Sequence, residues 1–231
     1  MLKLNTLLII PAYNEEKNLG NLIKNLNSTC PNCDVLIIND CSTDNTRFLS
    51  FTNPIHKIDL PSNLGIGGAV QTGYKYAYLH NYDIAIQVDG DGQHDTSYIN
   101  TLIEEIKKGY NLCLGSRFIE KTGFQSTFLR RIGIKYFSFL ISLVCGEKIT
   151  DPTSGFRACD RTVIELFAKE YPIDYPEPET LVYLKKKHLK IKETPVIMNE
   201  RENGKSSINF IRSIYYMIKV SLAVCFASLS K

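Results

Sequence analysis

The stretch Ile86–Asp95, IQVDGDGQHD, sets two carboxylates, Asp89 and Asp91, on either side of one glycine directly after an apolar run. That run, DIAIQVD from Asp83, has the length and apolar content of a buried strand. The two like charges repel, and Gly90 and Gly92 add backbone freedom to the same short loop. Such a loop is either a solvated acidic turn or a place for a cation. On an extended segment residues two apart face the same way, so both carboxylates can meet one ion. Hard oxygen ligands at a strand end suit Mg²⁺ or Mn²⁺, which takes a few carboxylates together with substrate phosphates. Gln93 stands two residues further on as a third oxygen donor. An EF-hand does not fit: counted from Asp89, His94 falls where that loop needs Gly and Asn100 where it needs the bidentate Glu.

Upstream of this loop, β-rich runs alternate with helical patterns. TLLIIPA, DVLIIND, IHKIDL, DIAIQVD and YNLCLGSR read as strands. NEEKNLGNLIKNLNS, with Leu19, Leu22, Ile23 and Leu26 at helical spacing, reads as a helix, as do GIGGAVQTGYKYAYLH and TSYINTLIEEIKKG. A further helix is expected to open at the STDNT cap. This alternation predicts an α/β fold, a mainly parallel sheet with helices on both faces. Downstream, FLRRIGIKYFSFLISLVCG reads as a helix with a wide apolar face, DPTSGFRACD as a loop or short strand, PEPETLVYLKKKH as a helix and LKIKETPVIM as a strand. SSINFIRSIYYMIKVSLAVCFASLS reads as a C-terminal amphipathic helix. The expected division is a catalytic unit over 1–207 and a terminal apolar, basic helix over 208–231.

In a parallel sheet ligands sit beyond the carboxyl ends of the strands. The polar residues that stand out all fall there: Pro11 to Glu15 after the first strand, Asp40 after the second, Asp89 and Asp91 after the fourth, Arg117 after the fifth. Asp40 can accept the N–H of a nucleobase or cap the next helix, although Ser42 and Thr43 are the better caps. Arg117, with Arg130 and Arg131 downstream, can clamp a phosphate through guanidinium forks, and surface arginine is the plain alternative. LGIGGAVQTG breaks the GxGxxG pattern at Val70, yet remains a tight turn into a helix whose free N–H groups can face a ligand.

Composition bounds the partners. A net charge of +3 with no dense Lys/Arg tract argues against nucleic acid. The basic residues cluster late, in 117–146 and again after Asn203, which points to an anionic ligand or surface. The seven cysteines are scattered, and Met1–Asn5 runs straight into an apolar strand too short for a secretory segment, so a reducing cytosol is the expectation. Cys30 and Cys33, in TCPNCD, read as incidental: zinc needs a second pair, and a thioredoxin-like site needs a helix start after a strand.

IIPAYNEE, IINDCSTDNT, NLGIGGAVQTGYKYA, VDGDGQHD, LGSRF and DPTSGFR follow one another in the order and spacing of the inverting family 2 glycosyltransferases. Over about Leu7 to Ser207 the chain resembles dolichyl-phosphate mannose synthases and bacterial polyprenyl-phosphate glycosyltransferases. The resemblance implies a GT-A fold, a nucleotide-diphosphate sugar donor, a polyprenyl phosphate acceptor and Mg²⁺ or Mn²⁺. It implies that Pro11, Tyr13, Glu15, Ile38 and Asp40 cradle the nucleoside. Asp89, Gly90, Asp91 and Gln93 take the metal and diphosphate, and Arg201 closes over the diphosphate. Arg117 and one of Arg130 and Arg131 take the acceptor phosphate. Lys205 precedes two serines, where the mannose synthases have a lysine after the serine of GxSK. The DYPEPE stretch, Asp174 to Glu179, resembles bacterial cell-envelope enzymes more than eukaryotic ones.

A sugar hydroxyl acceptor needs a general base, for which Asp151 or Glu179 is the spare carboxylate. A polyprenyl phosphate does not, because its second pKa of about 6 leaves it largely dianionic at neutral pH. Asp151 otherwise serves to hold the arginine segment. Two other readings stand beside polyprenyl-phosphate transfer: extension of a lipid-linked saccharide, and a sugar-nucleotide-binding protein without turnover. Ile214–Leu229 would span roughly 24 Å as a helix, short of the ~30 Å hydrocarbon core, and Lys219 sits near its middle. Peripheral attachment at the inner face of the cytoplasmic membrane is therefore the expectation, with the apolar face of Phe128 to Val144 on the same plane. Packing of both helices as ordinary core, docking on a small membrane-protein partner and self-association are the alternatives.

Overall fold

The computed structural model describes residues 4–51, 55–120, 123, 128–173, 176–200, 217–224 and 226, with side chains omitted for 128–130. Strand β1 (Thr6–Ala12) is followed by α1 (Leu19–Thr29), β2 (Asp34–Asn39), β3 (His56–Asp59), α2 (Gly65–Leu79), β4 (Ile84–Gln87), α3 (Ile99–Lys107) and β5 (Leu112–Ser116). Then come α4 (Phe128–Cys145), β6 (Arg157–Asp160), α5 (Arg161–Lys169), α6 (Pro176–Lys186) and β7 (Ile191–Pro195). A terminal helical segment covers 217–224.

The seven strands form one sheet in the order β3-β2-β1-β4-β6-β5-β7. All neighbours are parallel except β6, which runs antiparallel between β4 and β5. The alternation of side chains along β1 explains how both faces are covered. Leu7 and Ile9 pack with α2, α5 and α6 on one face, while Leu8 and Ile10 pack with α1 and α3 on the other. Because β1, β2, β4 and β5 are co-directional, their carboxyl ends share one edge, as the strand–helix pattern predicts.

Three local expectations are corrected. The helix expected after β2 is a single 3₁₀ turn, Asn45–Phe48, capped by Asp44 rather than by Ser42 or Thr43. Those two are engaged elsewhere: Asn14 N–H donates to Ser42 Oγ, and Thr43 donates through its backbone and hydroxyl to Asn14 Oδ1. The segment after β4 turns at Gly92 (φ 76°) rather than running extended, so Asp91 is buried while Asp89 is partly exposed. The sulfurs of Cys30 and Cys33 are bonded. A turn closed by Cys33 N–H donating to Cys30 C=O brings their Cα atoms to 5.5 Å, within disulfide range, at the sheet edge away from the polar strand ends.

Candidate active site

At the corner made by β1 and β2, Ile38 is fully buried, Tyr13 is half-exposed and Asp40 is 4% exposed. Asp40 Oδ1 accepts the Leu64 N–H at 2.7 Å, so the carboxylate caps the start of α2 and ties it to the end of β2. Burial raises the Asp40 carboxyl above its usual range, and the N–H groups of Leu64 and Gly65 pull it back. The loop after β1 is clasped to the loop after β2. Asn14, in the left-handed region (φ 59°), accepts from Thr43 and Asp44, and Glu15 N–H donates to Thr46 Oγ1. Two loops held this tightly form a preorganised wall.

The Asp89–Gln93 loop packs directly onto that wall. A Cβ on Gly90 would lie 3.0 Å from the Pro11 carbonyl and 3.4 Å from Glu15 Cγ, so only glycine lets the loop approach this closely. Asp89 is braced from three sides. His94 Nδ1 accepts the Asp89 N–H at 3.0 Å, which puts the ring proton on Nε2, 3.5 Å from Asp89 Oδ2. Gln87 Nε2 donates to Asp89 Oδ1, and Gly155 passes beneath both oxygens. Asp91 Oδ1 accepts the Gln93 N–H. The loop is zipped to the chain beyond β7 by the His94–Met198 bridge and by Asn199 N–H donating to the Gln93 carbonyl.

Asp89 and Asp91 suit a hard divalent ion. Among the described residues no group of three His, Cys, Asp or Glu is arranged to hold a metal, so an ion here would need further oxygens from outside this carboxylate pair. Gln93 Nε2 reaches the Asn199 carbonyl at 3.4 Å, which turns its amide nitrogen away to a protein partner.

Arg117 occupies the other side of β4, beyond β5. Its Nε and one terminal nitrogen donate bidentately to Asp151, at 2.6 and 2.7 Å, and the same nitrogen reaches Thr153 Oγ1. Asp151 is fully buried, and its position is fixed from β7, where the Glu193 carboxylate accepts from the backbone N–H groups of Thr150 and Asp151. Burial raises the Glu193 carboxyl, against the pull of those N–H donors. A carboxylate engaged at both oxygens by a guanidinium holds an arginine fork in place.

The structure thus brings Pro11, Tyr13, Glu15, Ile38, Asp40, Asp89, Gly90, Asp91 and Gln93 to one corner, with Arg117 and Asp151 across β6 from it. Arg131 is exposed at the start of α4. Glu179 lies elsewhere, near Glu170 and Lys219, in a ~370 Å³ cavity beside the terminal helical segment. The side chain of Arg130 and the residues Arg201 and Lys205 lie outside the described residues. His94, Asn14 and Glu193 carry the site and were missed in the sequence. Only His94 left a signal there, as a histidine inside the acidic loop.

The family model for Glycosyl transferase family 2 matches residues 7–167, which include the carboxyl ends of β1, β2, β4 and β5. The chain is a family 2 glycosyltransferase. Among this transferase's relatives is the UDP-N-acetylglucosamine–dolichyl-phosphate N-acetylglucosaminyltransferase of Methanococcus voltae, 33% identical over 82% of this chain and 83% of that one. Another is the polyprenol monophosphomannose synthase of Mycolicibacterium smegmatis, 28% identical over 94% of this chain and 85% of its own length. The transferase's fold matches glucosyl-3-phosphoglycerate synthase from Mycobacterium tuberculosis, solved with Mn²⁺, UDP and phosphoglyceric acid. The TM-score is 0.73 at 16% identity, covering 97% of this chain and 78% of that one. The GT-A architecture expected from the sequence is the one found.

Proposed function

We propose that this transferase moves a sugar from a nucleotide-diphosphate sugar (UDP-GlcNAc, UDP-glucose or GDP-mannose) to a polyprenyl phosphate, with a divalent ion and inversion at the anomeric carbon. The observation that carries the reading is the pairing of a two-carboxylate loop with a preset arginine fork on opposite sides of β6. Asp89 and Asp91 would hold Mg²⁺ or Mn²⁺, which supplies charge to the departing diphosphate. Tyr13, Pro11, Ile38 and Asp40 would receive the nucleoside, with Glu15 beside them. Arg117, steadied by Asp151, would hold the acceptor phosphate in line with the anomeric carbon, joined by Arg130 or Arg131. Arg201 and Lys205 would close over the diphosphate.

A dianionic phosphate is already a nucleophile, so positioning and charge clamps suffice. The engagement of both Asp151 oxygens by Arg117, and the placement of Glu179 in a cavity lined by none of the site residues above, favour that acceptor over a saccharide hydroxyl needing a base. Relatives named for dolichyl phosphate and polyprenol acceptors support the same choice, and their differing sugars leave the donor open.

Among the described residues no helix is long and apolar enough to cross a membrane. The surface nonetheless offers an apolar stripe. Ile132, Tyr136, Phe139 and Leu143 of α4 are exposed beside Ile218, Leu222 and Phe226, while Phe137, Ile141, Val220 and Val224 bury the facing sides of the same two helices. Peripheral seating on the cytoplasmic membrane face would bring this stripe to the lipid and Arg131 to the acceptor headgroup. The test is transfer of label from each of the three sugar nucleotides to an organic-extractable product with short-chain polyprenyl phosphate and Mn²⁺. One donor is expected to label the lipid; label appearing with none of them overturns the reading.

A further inference from the structure

Among the described residues Arg157 is the largest fully buried side chain. It lies on β6, the antiparallel strand inserted between β4 and β5, in register with Gln87 on one side and Leu114 on the other. Those partners stand two residues before Asp89 and three before Arg117, so Arg157 is carried by the strand that separates the two halves of the site.

Its hydrogen bonds show what it holds. Nε and one terminal nitrogen donate to the Ser154 carbonyl at 3.0 and 2.8 Å. The other terminal nitrogen donates to Thr180 Oγ1 at 2.9 Å, and both reach toward the Glu177 carbonyl at 3.4 Å. The hydrogen-bond acceptors are neutral oxygens on two segments, the loop before β6 and the first turn of α6, and the charge of Arg157 also faces the Glu177 carboxyl, which burial pushes up and Arg157 pulls back. A buried charge costs several kcal/mol to desolvate, and replacement of buried ionic groups by apolar side chains is often neutral or stabilising. Core filling is therefore a weak account of an arginine here. The five fixed N–H groups of a guanidinium can bridge two segments in a way the point charge of lysine cannot.

The loop it holds is the one that both halves of the site rest on. At one end Asp151 and Thr153 grip Arg117. At the other, Gly155 runs under Asp89, with room for no side chain. We propose that Arg157 is a positioning residue for glycosyl transfer: its buried guanidinium pins the 151–155 loop to α6 and so fixes Asp89 and Arg117 relative to each other. The inference rests on the function proposed above. It adds that the metal side and the acceptor side are set by one shared loop, so a fault in the pin must show on both sides at once.

The test uses the full chain with Arg157→Lys, Arg157→Met and, as a milder lesion that removes only one acceptor on α6, Thr180→Val. Three quantities are read well below each variant's melting temperature: Mn²⁺ affinity by calorimetry, acceptor KM and kcat. The expected result for Arg157→Lys is at least a ten-fold loss of kcat, with weaker Mn²⁺ binding and a raised acceptor KM in the same protein. Thr180→Val should show the same pattern at two- to three-fold, and it stands in if the arginine variants do not fold. Arg117→Ala should then lose less in the Arg157→Met background than in the wild type, by at least about five-fold, because coupled residues are not additive. Lower melting temperature with unchanged Mn²⁺ affinity and additive kinetics overturns the assignment and leaves Arg157 a packing residue. Wild-type protein that binds Mn²⁺ but transfers no sugar fails the proposed function instead, and the Mn²⁺ comparison still decides whether Arg157 acts on Asp89.

Discussion

Gly155→Ala perturbs the metal seat by one methyl group. An added Cβ would lie 2.9 Å from Gln87 Nε2 and 3.3 Å from both Asp89 oxygens, where ordinary contact begins at 3.4 Å. The Gln87 nitrogen must retreat by about half an ångström, and Gln87 is 1% exposed, with no free space to take it. Its hydrogen bond to Asp89 Oδ1 passes the displacement to the carboxylate. A misplacement of ~1 Å costs about 10²-fold in rate, so half that distance predicts roughly ten-fold lower turnover. Overpacking should also lower stability by about 1–3 kcal/mol. Mn²⁺ titration of turnover, beside a thermal melt, measures both, and the metal half-saturation point should rise. Gly20→Ala is the control: it meets nothing within 4 Å, lies in the first turn of α1 and should leave kinetics unchanged without loss of stability. A folded Gly155→Ala protein with wild-type turnover and metal response would refute the placement of Asp89 as a metal ligand seated on this loop.

Other outcomes follow from the same geometry. Asp91→Ala should lower turnover by at least about two orders of magnitude, the scale of a lost transition-state charge stabiliser; full activity in excess chelator would remove the metal from the account. Arg117→Ala should leave donor affinity near wild type while transfer collapses, and a parallel fall in donor affinity would move Arg117 to the donor side. Burial pushes the Cys113 and Cys159 thiols up to about 12, so alkylation of the native protein at pH 8 should spare them and reach exposed Cys41 first. Cys41 adjoins Asp40, and a donor nucleotide should slow its labelling; no protection would weigh against the β1–β2 corner as the nucleoside cradle. Phe139→Ser with Leu143→Ser, both on the exposed stripe of α4, should keep the fold and reduce sedimentation with anionic liposomes. Unchanged sedimentation would move lipid contact away from that stripe.

The strands themselves and their shared carboxyl edge were legible in the sequence because local signals carry them: apolar runs of strand length, each closed by a polar residue. The carboxylates Asp40, Asp89 and Asp91 were legible for the same reason. Asp40's actual partner was not, since the Leu64 N–H lies a whole β-strand further along the chain. The 3₁₀ turn after β2 replaced a full helix because Asn14 had already claimed Thr43 and Asp44 across the loop. The antiparallel entry of β6 could not be read from a four-residue strand. Glu193 looks like an unremarkable charge in the sequence, and Arg157 closes the DPTSGFR motif with nothing there to say what it holds. They act only through backbone groups of a loop that folding brings to them, and no spacing rule encodes that.

The central claim is that a metal-loaded diphosphate leaves while a lipid phosphate attacks. Release of free nucleotide from the sugar nucleotide, followed with Mn²⁺ in the presence and absence of polyprenyl phosphate, tests it most directly. The account predicts slow release from donor alone, release accelerated by the lipid phosphate, and loss of that acceleration on chelation. Release that ignores the lipid phosphate, or that continues undiminished in chelator, would contradict it.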